Sequence, residues 1–381
     1  MQYCPDHEIR WNLWQALVKR GSGYSDKDSA TSIHIEEIRS QRHLMAELLD
    51  EYKEYFPYPS VLRGLFKLSE KLFNIVIKQR KDVSTWHKDV EFYDILEPHC
   101  SAPVAGFYLD PYATKENRIQ NVNTNVWMVG IQNKSKVCDK IPLASLIFNF
   151  DLPSNGKPSL LSLKDVNNLF YRFGHALQHL LTRTSYSEVS GLSNIEWDMV
   201  EVSGHVFSHL LNNEEVIRSI SSNYETGEKL PENLIKSILG IKKHMAGLDL
   251  CRELYLSAVD LELYSTNDYW VKIVKNLWPQ FRSFPLDKYD SHLCSFTQIF
   301  TEEWAAAYYS HVWSRMIAAD VYSAFKEVQG NDQQIVEVGK RYRDTFLALG
   351  GSVHSSKIFR HFRGRDPSPQ AFLDSLGLNN E

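Results

Sequence analysis

The sequence predicts a mainly α-helical fold that carries one small antiparallel β-sheet. Most of its 381 residues follow helical patterns of apolar positions. Short segments rich in β-branched and aromatic residues, separated by polar turns, are confined to the middle of the chain. No apolar run approaches the roughly 20 residues that a membrane-spanning helix needs, so we expect no membrane association.

The first part of the chain is predicted to be helical. Residues 32–52 have apolar side chains at spacings compatible with one helical face, and residues 61–77 begin another helical pattern. Between them, YFPYPS (55–60) contains two prolines, which predict a helix end and a boundary. We therefore divide the chain into residues 1–55 and a main domain of residues 56–381.

Three segments in the middle of the chain predict β-strands. They are APVAGFYLD (102–110), NVWMVGIQN (125–133) and PLASLIFNFDL (142–152), and we expect them to form one antiparallel sheet. Ser162 and Asp165 have the spacing of a capping box, which predicts the start of the next helix.

Helical patterns return in the second half of the chain. Residues 223–235 read as a polar loop that leads into a helix. Residues 268–277 and 302–325 are helical by composition.

Charge and cysteine content narrow the possible partners and compartment. The net charge is −5, from 42 basic and 47 acidic residues, and no basic stripe stands out, so we expect no nucleic-acid partner. The N-terminus lacks the apolar core of a signal peptide. The five cysteines form no CxxC pair, which favours reduced thiols and a cytoplasmic protein. We expect a monomer.

The stretch LFYRFGHALQHLL (169–181) is the main candidate for chemistry. Arg172, His175 and His179 fall on one side of its helix, with Tyr171 one turn before His175. The opposite side is apolar and consists of Val166, Leu169, Phe170, Phe173, Leu177, Leu180 and Leu181. The polar side is where a metal site would lie.

The helix departs from the pattern of a zinc-protease helix. In a His-Glu-x-x-His helix, two histidines four residues apart bind zinc and the glutamate polarises the attacking water. Here His175 occupies the second histidine position, whereas Tyr171 and Arg172 stand at the positions of the first histidine and the general base. His175 and His179 are also four apart, but Ala176 supplies no base, so this pair suits packing better than a displaced site.

Several other segments resemble the oligopeptidase A and thimet oligopeptidase family of zinc metallopeptidases. They are VSTWHKDVEFYDI (83–95), GFYLDPYATKENR (106–118), FNFDLPSNGKPSLLSLKDV (148–166), LLTRTSYSEVSGLSNIEWDMVE (180–201) and FRHFRGRDPSPQAFLDSLGL (359–378). The resemblance implies a zincin-like helical domain with the sheet next to the active-site helix. It also implies that residues 1–55 are a remnant of the family's helical N-terminal region.

By this resemblance, Glu201 matches the third zinc ligand. The family continues after that glutamate with Pro-Ser-Gln, whereas this chain has Val202, Ser203 and Gly204. His205 and His209 follow on the same helix and are read as packing residues in preference to ligands.

The resemblance also places the family's substrate-binding loop and helix at residues 297–311. Gln298 replaces a histidine, Trp304 and His311 each replace a tyrosine, and Tyr308 is retained. Thr301, Glu302 and Glu303 replace the flexible glycine-rich loop, which brings carboxylates into a region that stabilises negative charge in the family. These positions are the candidate substrate-binding residues.

We therefore expect a homologue without catalytic activity that binds short peptides or an unknown protein partner. Its metal positions, His175 and Glu201, are vestigial; we expect no cofactor, with zinc bound only if the family site is retained. We expect the Arg172 guanidinium to pair with Glu201 in place of the metal. The alternatives are a zinc-dependent metalloendopeptidase that cleaves short peptides in the cytosol, and a fragmentary product that folds poorly.

Overall fold

The structure is a computed structural model that describes residues 52–112, 126–282, 285–287, 290–301 and 304–378. The chain forms two compact units. The larger unit is built from Leu49–His244 and Ser310–Glu381, and the smaller one, in its described part, from Met245–Tyr309. The helix predicted at 32–52 lies almost entirely outside the described residues, and the boundary between residues 55 and 56 stays a prediction.

The predicted mainly helical class is confirmed. The α-helices in chain order are α1 (Tyr58–Phe73), α2 (Leu163–Leu180), α3 (Val202–Leu210), α4 (Glu214–Ile220), α5 (Glu232–Lys243), α6 (Ala246–Ser265), α7 (Trp270–Phe281), α8 (Gln298–Thr301), α9 (Ser310–Lys326), α10 (Asp332–Tyr342), α11 (Ser355–Arg363) and α12 (Gln370–Leu376). The β-strands are β1 (Val76–Gln79), β2 (Glu91–Leu96), β3 (Pro103–Tyr112), β4 (Trp127–Gln132) and β5 (Leu143–Phe150).

The sheet is mixed, so the prediction of an antiparallel sheet was wrong. Its strand order is β1-β2-β3-β5-β4, and β3 and β5 run parallel with Gly106 opposite Leu143, whereas the other neighbours are antiparallel. The three predicted segments became β3, β4 and β5. Strand β4 lies at the edge of the sheet, beyond β5. Strands β3 and β5 are therefore neighbours, and they run parallel.

Strands β1 and β2 were not predicted, and β1 was missed because α1 ends earlier than its apolar pattern suggested. Asn74 adopts a left-handed conformation with φ of 50° and stops the helix. Such a conformation suits Asn better than most other residues. The β-branched residues that follow then form β1, which pairs with β2 through Val76 and Leu96.

Helix α2 begins and packs as its sequence indicates. The Ser162 hydroxyl accepts a hydrogen bond from the Asp165 amide at 3.1 Å, and the Asp165 carboxylate accepts one from the Ser162 amide at 3.1 Å. All seven predicted apolar positions of this helix are buried in the main core. Phe173 meets Phe107 of β3 with ring centroids 5.8 Å apart, so the helix is fixed on the sheet.

Helices α2 and α3 approach each other unusually closely at two glycines. A Cβ atom added to Gly174 would lie 2.5 Å from the Ser203 carbonyl oxygen. A Cβ added to Gly204 would lie 2.7 Å from the Tyr171 ring carbon Cε2. Both distances are shorter than real carbon contacts, so a side chain at Gly174 would require movement of the helix backbone, and one at Gly204 would displace the Tyr171 ring.

The smaller unit has its own core, in which Tyr255 of α6 packs edge-on against Trp278 of α7 at 5.5 Å. The helix predicted at 302–325 begins only at Ser310; among the described residues before it, 304–309 form turns. Asp260 of α6 accepts backbone hydrogen bonds from Ala306 and Tyr308 at 2.9 and 3.0 Å, and these bonds hold the turns.

Within the described residues, no helix is long and apolar enough to cross a membrane.

Candidate functional site

The centre of the site is a hydrogen bond between α2 and the residue before α3. The Tyr171 hydroxyl donates to Glu201 Oε1 at 3.0 Å. Tyr171 lies one turn before His175 on the polar side of α2, as predicted, and Glu201 is the N-terminal flanking residue of α3. Gly204 makes the contact possible, because any larger residue there would displace the tyrosine ring.

Two histidines surround the same carboxylate from the other side. His311 Nδ1 lies 2.9 Å from Glu201 Oε2, and His205 Nε2 lies 3.8 Å from that oxygen. The Tyr171 and His205 rings meet edge to face with centroids 4.9 Å apart. Both carboxylate oxygens of Glu201 therefore have partners from the protein itself.

The surroundings keep Glu201 charged and Tyr171 protonated. Burial by itself raises the pKa of Glu201, but the hydrogen bond with His311 and the nearby His205 ring outweigh burial and hold that pKa well below its usual range. Burial and the Glu201 charge raise the pKa of Tyr171 far above its ordinary value. The phenol is consequently a neutral donor and does not form the phenolate that would bind a metal strongly.

The predicted ion pair between Arg172 and Glu201 is not formed, and that expectation was wrong. The Arg172 guanidinium carbon lies 5.1 Å from the centre of the Tyr171 ring, in cation–π geometry. Glu201 is taken instead by Tyr171 and His311. Adjacent residues on a helix point about 100° apart, so Tyr171 and Arg172 leave α2 in different directions.

His175 makes no hydrogen bond within the described part of the chain. Both of its ring nitrogens are buried, and neither has a partner among the described residues. Burial and the Arg172 charge lower its pKa to about 4, so the ring is neutral at physiological pH. A neutral imidazole retains a lone pair that could bind a metal or a ligand proton.

His179 has a structural role. Its Nε2 lies 3.0 Å from the Gln132 carbonyl oxygen and 3.1 Å from that of Leu143, and since carbonyls only accept, this nitrogen carries the proton. The ring thereby fixes β4 and β5 to α2. His209 likewise packs, with its ring stacked on Tyr322 at 5.6 Å. These contacts occupy His179 Nε2, which agrees with the packing role predicted for this histidine.

The residues at the site do not fit a catalytic zinc ion. Of the three positions that the resemblance assigns as zinc ligands, only His175 and Glu201 keep strong donors, and the Glu201 oxygens already have partners. Tyr171 offers a protonated phenol, and Arg172 places a permanent positive charge where a base would be needed. Among the described residues, no group of three or more His, Cys, Asp or Glu side chains is arranged to hold a metal ion.

The candidate substrate-binding residues are divided between the two units. His311 belongs to the larger unit and contacts Glu201. Gln298, Trp304 and Tyr308 belong to the smaller one. Gln298 is the first residue of the short helix α8, and Tyr308 packs edge-on against Phe296 at 4.7 Å. Their role in substrate binding stays a prediction.

The close packing of the Tyr171 ring against Gly204 was not predicted from the sequence. It could have been suspected, because Tyr171 on α2 and Gly204 on α3 both differ from the residues of the family at those positions. Sequence reasoning also missed His205 and His311 as partners of Glu201. The i, i+4 spacing of Glu201 and His205 on one helix could have indicated the first pair.

Comparisons of the sequence with known proteins identify the same family that the resemblance indicated. The sequence model of Peptidase family M3 matches residues 48–378. "Organellar oligopeptidase A, chloroplastic/mitochondrial" of Arabidopsis thaliana is 35% identical over 97% of this chain and 49% of its own length. "Probable cytosolic oligopeptidase A" of the same plant is 35% identical over 94% of this chain and 53% of its own length.

A solved structure described as "The Structure of CHT" shares the fold, with a TM-score of 0.51 at 9% identity; the match covers 92% of this chain and 66% of that one. This chain spans about half the length of the curated relatives it matches.

Proposed function

The chain belongs to peptidase family M3, and on that premise we propose that it is a member without peptidase activity, which acts by binding a peptide or a protein partner. The observation that carries the proposal is the Tyr171–Glu201 hydrogen bond. In this arrangement a protonated phenol takes the place of a zinc-binding imidazole and uses one oxygen of the remaining carboxylate ligand.

The charge at the neighbouring position supports the same proposal. The general base of the family is a carboxylate, and here Arg172 places a guanidinium over the Tyr171 ring. A guanidinium stays protonated in proteins and has no lone pair to accept a proton from water. Loss of a general base alone lowers an enzymatic rate by orders of magnitude.

A second candidate function is a zinc-dependent metalloendopeptidase that cleaves short peptides. Two observations favour it: the identity of about one third to oligopeptidases, and the two unpartnered ring nitrogens of His175. If this candidate were right, zinc would have to draw Glu201 away from Tyr171 and His311.

Metal analysis decides between the two candidates. The chain is purified without chelator, its zinc content is measured by mass spectrometry, and it is incubated with short quenched-fluorescence peptides with and without added zinc or cobalt. We expect substoichiometric zinc and no cleavage, with an active M3 peptidase as the positive control. One zinc per chain at micromolar affinity or tighter, together with cleavage that a chelator abolishes, would overturn the proposal.

We further propose a cytosolic location. Cys100, Cys138, Cys251 and Cys294 are all unpaired and exposed, which suits a reducing compartment. One relative is named as cytosolic and another as organellar, so the compartment needs its own test. Fractionation of cells that express the full-length protein should recover it with cytosolic markers; recovery with an organelle would contradict this location.

A further inference from the structure

The larger unit contains a cavity remote from Tyr171 and Glu201. Its volume is about 340 Å³, near the lower end of the roughly 300–1,000 Å³ typical of ligand pockets. Helices α1, α4, α9 and α10 contribute to its wall. The floor is apolar and buried, and it consists of Leu72, Leu210, Val216, Tyr322 and Phe325.

The cavity and the Glu201 cluster lie at opposite ends of α9. His311, which contacts Glu201, is the second residue of this helix, whereas Tyr322 and Phe325 lie in its last two turns. At 1.5 Å per residue, His311 and Tyr322 are about 16 Å apart along the axis. The cavity is therefore a separate site.

A row of basic residues borders the cavity on α1. Arg63, Lys67 and Lys71 recur at every fourth position and are all exposed, so they form one face of the helix. The adjacent row, Gly64 and Leu68 with Leu72, lines the cavity. This short basic stripe was not predicted from the sequence, in which no basic stripe stands out.

Within the part of the chain that the structure describes, much of this positive charge has no acidic partner. Lys71 is neutralised by Asp332, whose carboxylate lies 2.9 Å away. Lys67 on α1 and Lys326 on α9 both line the cavity, and neither forms an ion pair with a described residue; Glu215 is the remaining carboxylate of the wall. Burial and the nearby charges of Arg63 and Lys67 also lower the pKa of Lys229, as expected where positive potential is uncompensated.

We propose that this cavity docks an acidic segment of a partner protein, which inserts apolar side chains between α1 and α9 and sets carboxylates against Lys67 and Lys326. Apolar burial supplies affinity at such sites, and complementary charge supplies orientation and partner choice. This proposal names a partner class for the binding function proposed above. It rests on that function only in assuming that the chain acts by binding. The cavity includes none of the residues around Glu201.

The test uses a fluorescein-labelled peptide of glutamates with leucines at helical spacing, measured by fluorescence anisotropy with the full chain. We expect saturable binding that weakens with added salt, because the charges involved are exposed. Two control peptides, one with lysine in place of glutamate and one with serine in place of leucine, should bind at least about tenfold more weakly if charge and apolar insertion both matter.

Variants locate the site. Lys67→Glu combined with Lys326→Glu reverses the charge at the rim, and we expect about tenfold or greater loss of peptide affinity. Lys340→Glu combined with Lys357→Glu makes the same change in net charge at exposed positions that do not line the cavity, and it should leave binding unchanged. Leu68→Trp fills the cavity from a half-buried position and should also weaken binding, with folding checked by circular dichroism.

Three results would overturn the docking proposal. They are equal loss of binding in both charge-reversal pairs, crosslinks of a photoreactive peptide that map away from α1 and α9, and binding of phosphatidylserine vesicles through the same lysines without binding of the peptide. None of these depends on zinc content or peptide cleavage. The docking site and the loss of catalysis can therefore fail separately.

Discussion

The Tyr171 hydroxyl and the Glu201 carboxylate are joined by a 3.0 Å hydrogen bond that ties α2 to the start of α3. Tyr171 can occupy this place because Gly204 presents no side chain to its ring. Substitutions on both helices thus create one contact, and that contact stands where the family resemblance predicts a metal.

Removing the hydroxyl should destabilise the protein. In Tyr171→Phe, Glu201 loses one of its hydrogen bonds while the ring packing is kept. Loss of a donor to a partly buried charged acceptor costs about 1–3 kcal/mol of unfolding free energy. Urea denaturation should show this loss, whereas Tyr186→Phe, at a tyrosine with 64% of its surface exposed, should change stability little. Equal stability of Tyr171→Phe and the parent would mean that the hydrogen bond contributes nothing.

The fit between Tyr171 and Gly204 should appear as coupling in a double-mutant cycle. Gly204→Ala drives a methyl group against the ring, and overpacking of this kind costs about 1–3 kcal/mol. In a Tyr171→Ala background the ring is gone, so the same change should cost less, although the Tyr171 carbonyl oxygen at 3.0 Å leaves a residual penalty. Additive effects would contradict the steric account.

Restoring the family residues on α2 should restore metal binding without restoring catalysis. Tyr171→His with Arg172→Glu recreates a His-Glu-x-x-His helix opposite Glu201, and we expect about one zinc per chain by mass spectrometry. We expect no peptide cleavage, because the candidate substrate-binding positions Gln298, Trp304 and His311 still differ from the family. Arg172→Glu alone is the control and should not bind zinc.

Either of two outcomes would correct this account. If the double variant both binds zinc and cleaves peptides, then Tyr171 and Arg172 alone account for the missing activity, and the substrate-binding positions are competent. If it binds no zinc although it is folded, the positions of His175 and Glu201 are themselves incompatible with the metal.

Stability should fall at mildly acidic pH because buried histidines are neutral in the folded state. Burial lowers the pKa of His209 to about 3, from an ordinary value of about 6.5. Between these values the unfolded chain binds the proton and the folded chain does not, so stability is lost as pH falls below about 6.5. His209→Phe keeps a ring against Tyr322 and removes this titration.

The urea concentration at the midpoint of unfolding is measured at about pH 7.5 and about pH 5.0. Because unfolding of the parent takes up a proton on His209, the midpoint should differ less between the two pH values in His209→Phe than in the parent. His361→Gln, at an exposed position, should leave the difference unchanged. An unchanged pH dependence in His209→Phe would show that His209 does not titrate with the proposed shift.

Local signals predicted much of the fold. The capping box of Ser162 and Asp165 and the apolar face of α2 depend on residues within a few turns, so their pattern was sufficient. The mixed sheet was not predictable in the same way, because the direction of β3 relative to β5 depends on which strands become neighbours. The early end of α1 at Asn74 was also missed, since a single left-handed residue overrode a continuing apolar pattern.

The sequence by itself determined which chemical groups are present on the polar side of α2: Tyr171 and Arg172, with His175 as the remaining imidazole. Only the tertiary structure decided how those groups are paired. Glu201 and His311 are distant from α2 in sequence, and their meeting depends on the close packing of α2 and α3 and on the start of α9. Pattern and spacing describe neighbours along one helix, whereas the choice of Tyr171 over Arg172 as the partner of Glu201 depends on the direction in which each side chain leaves that helix.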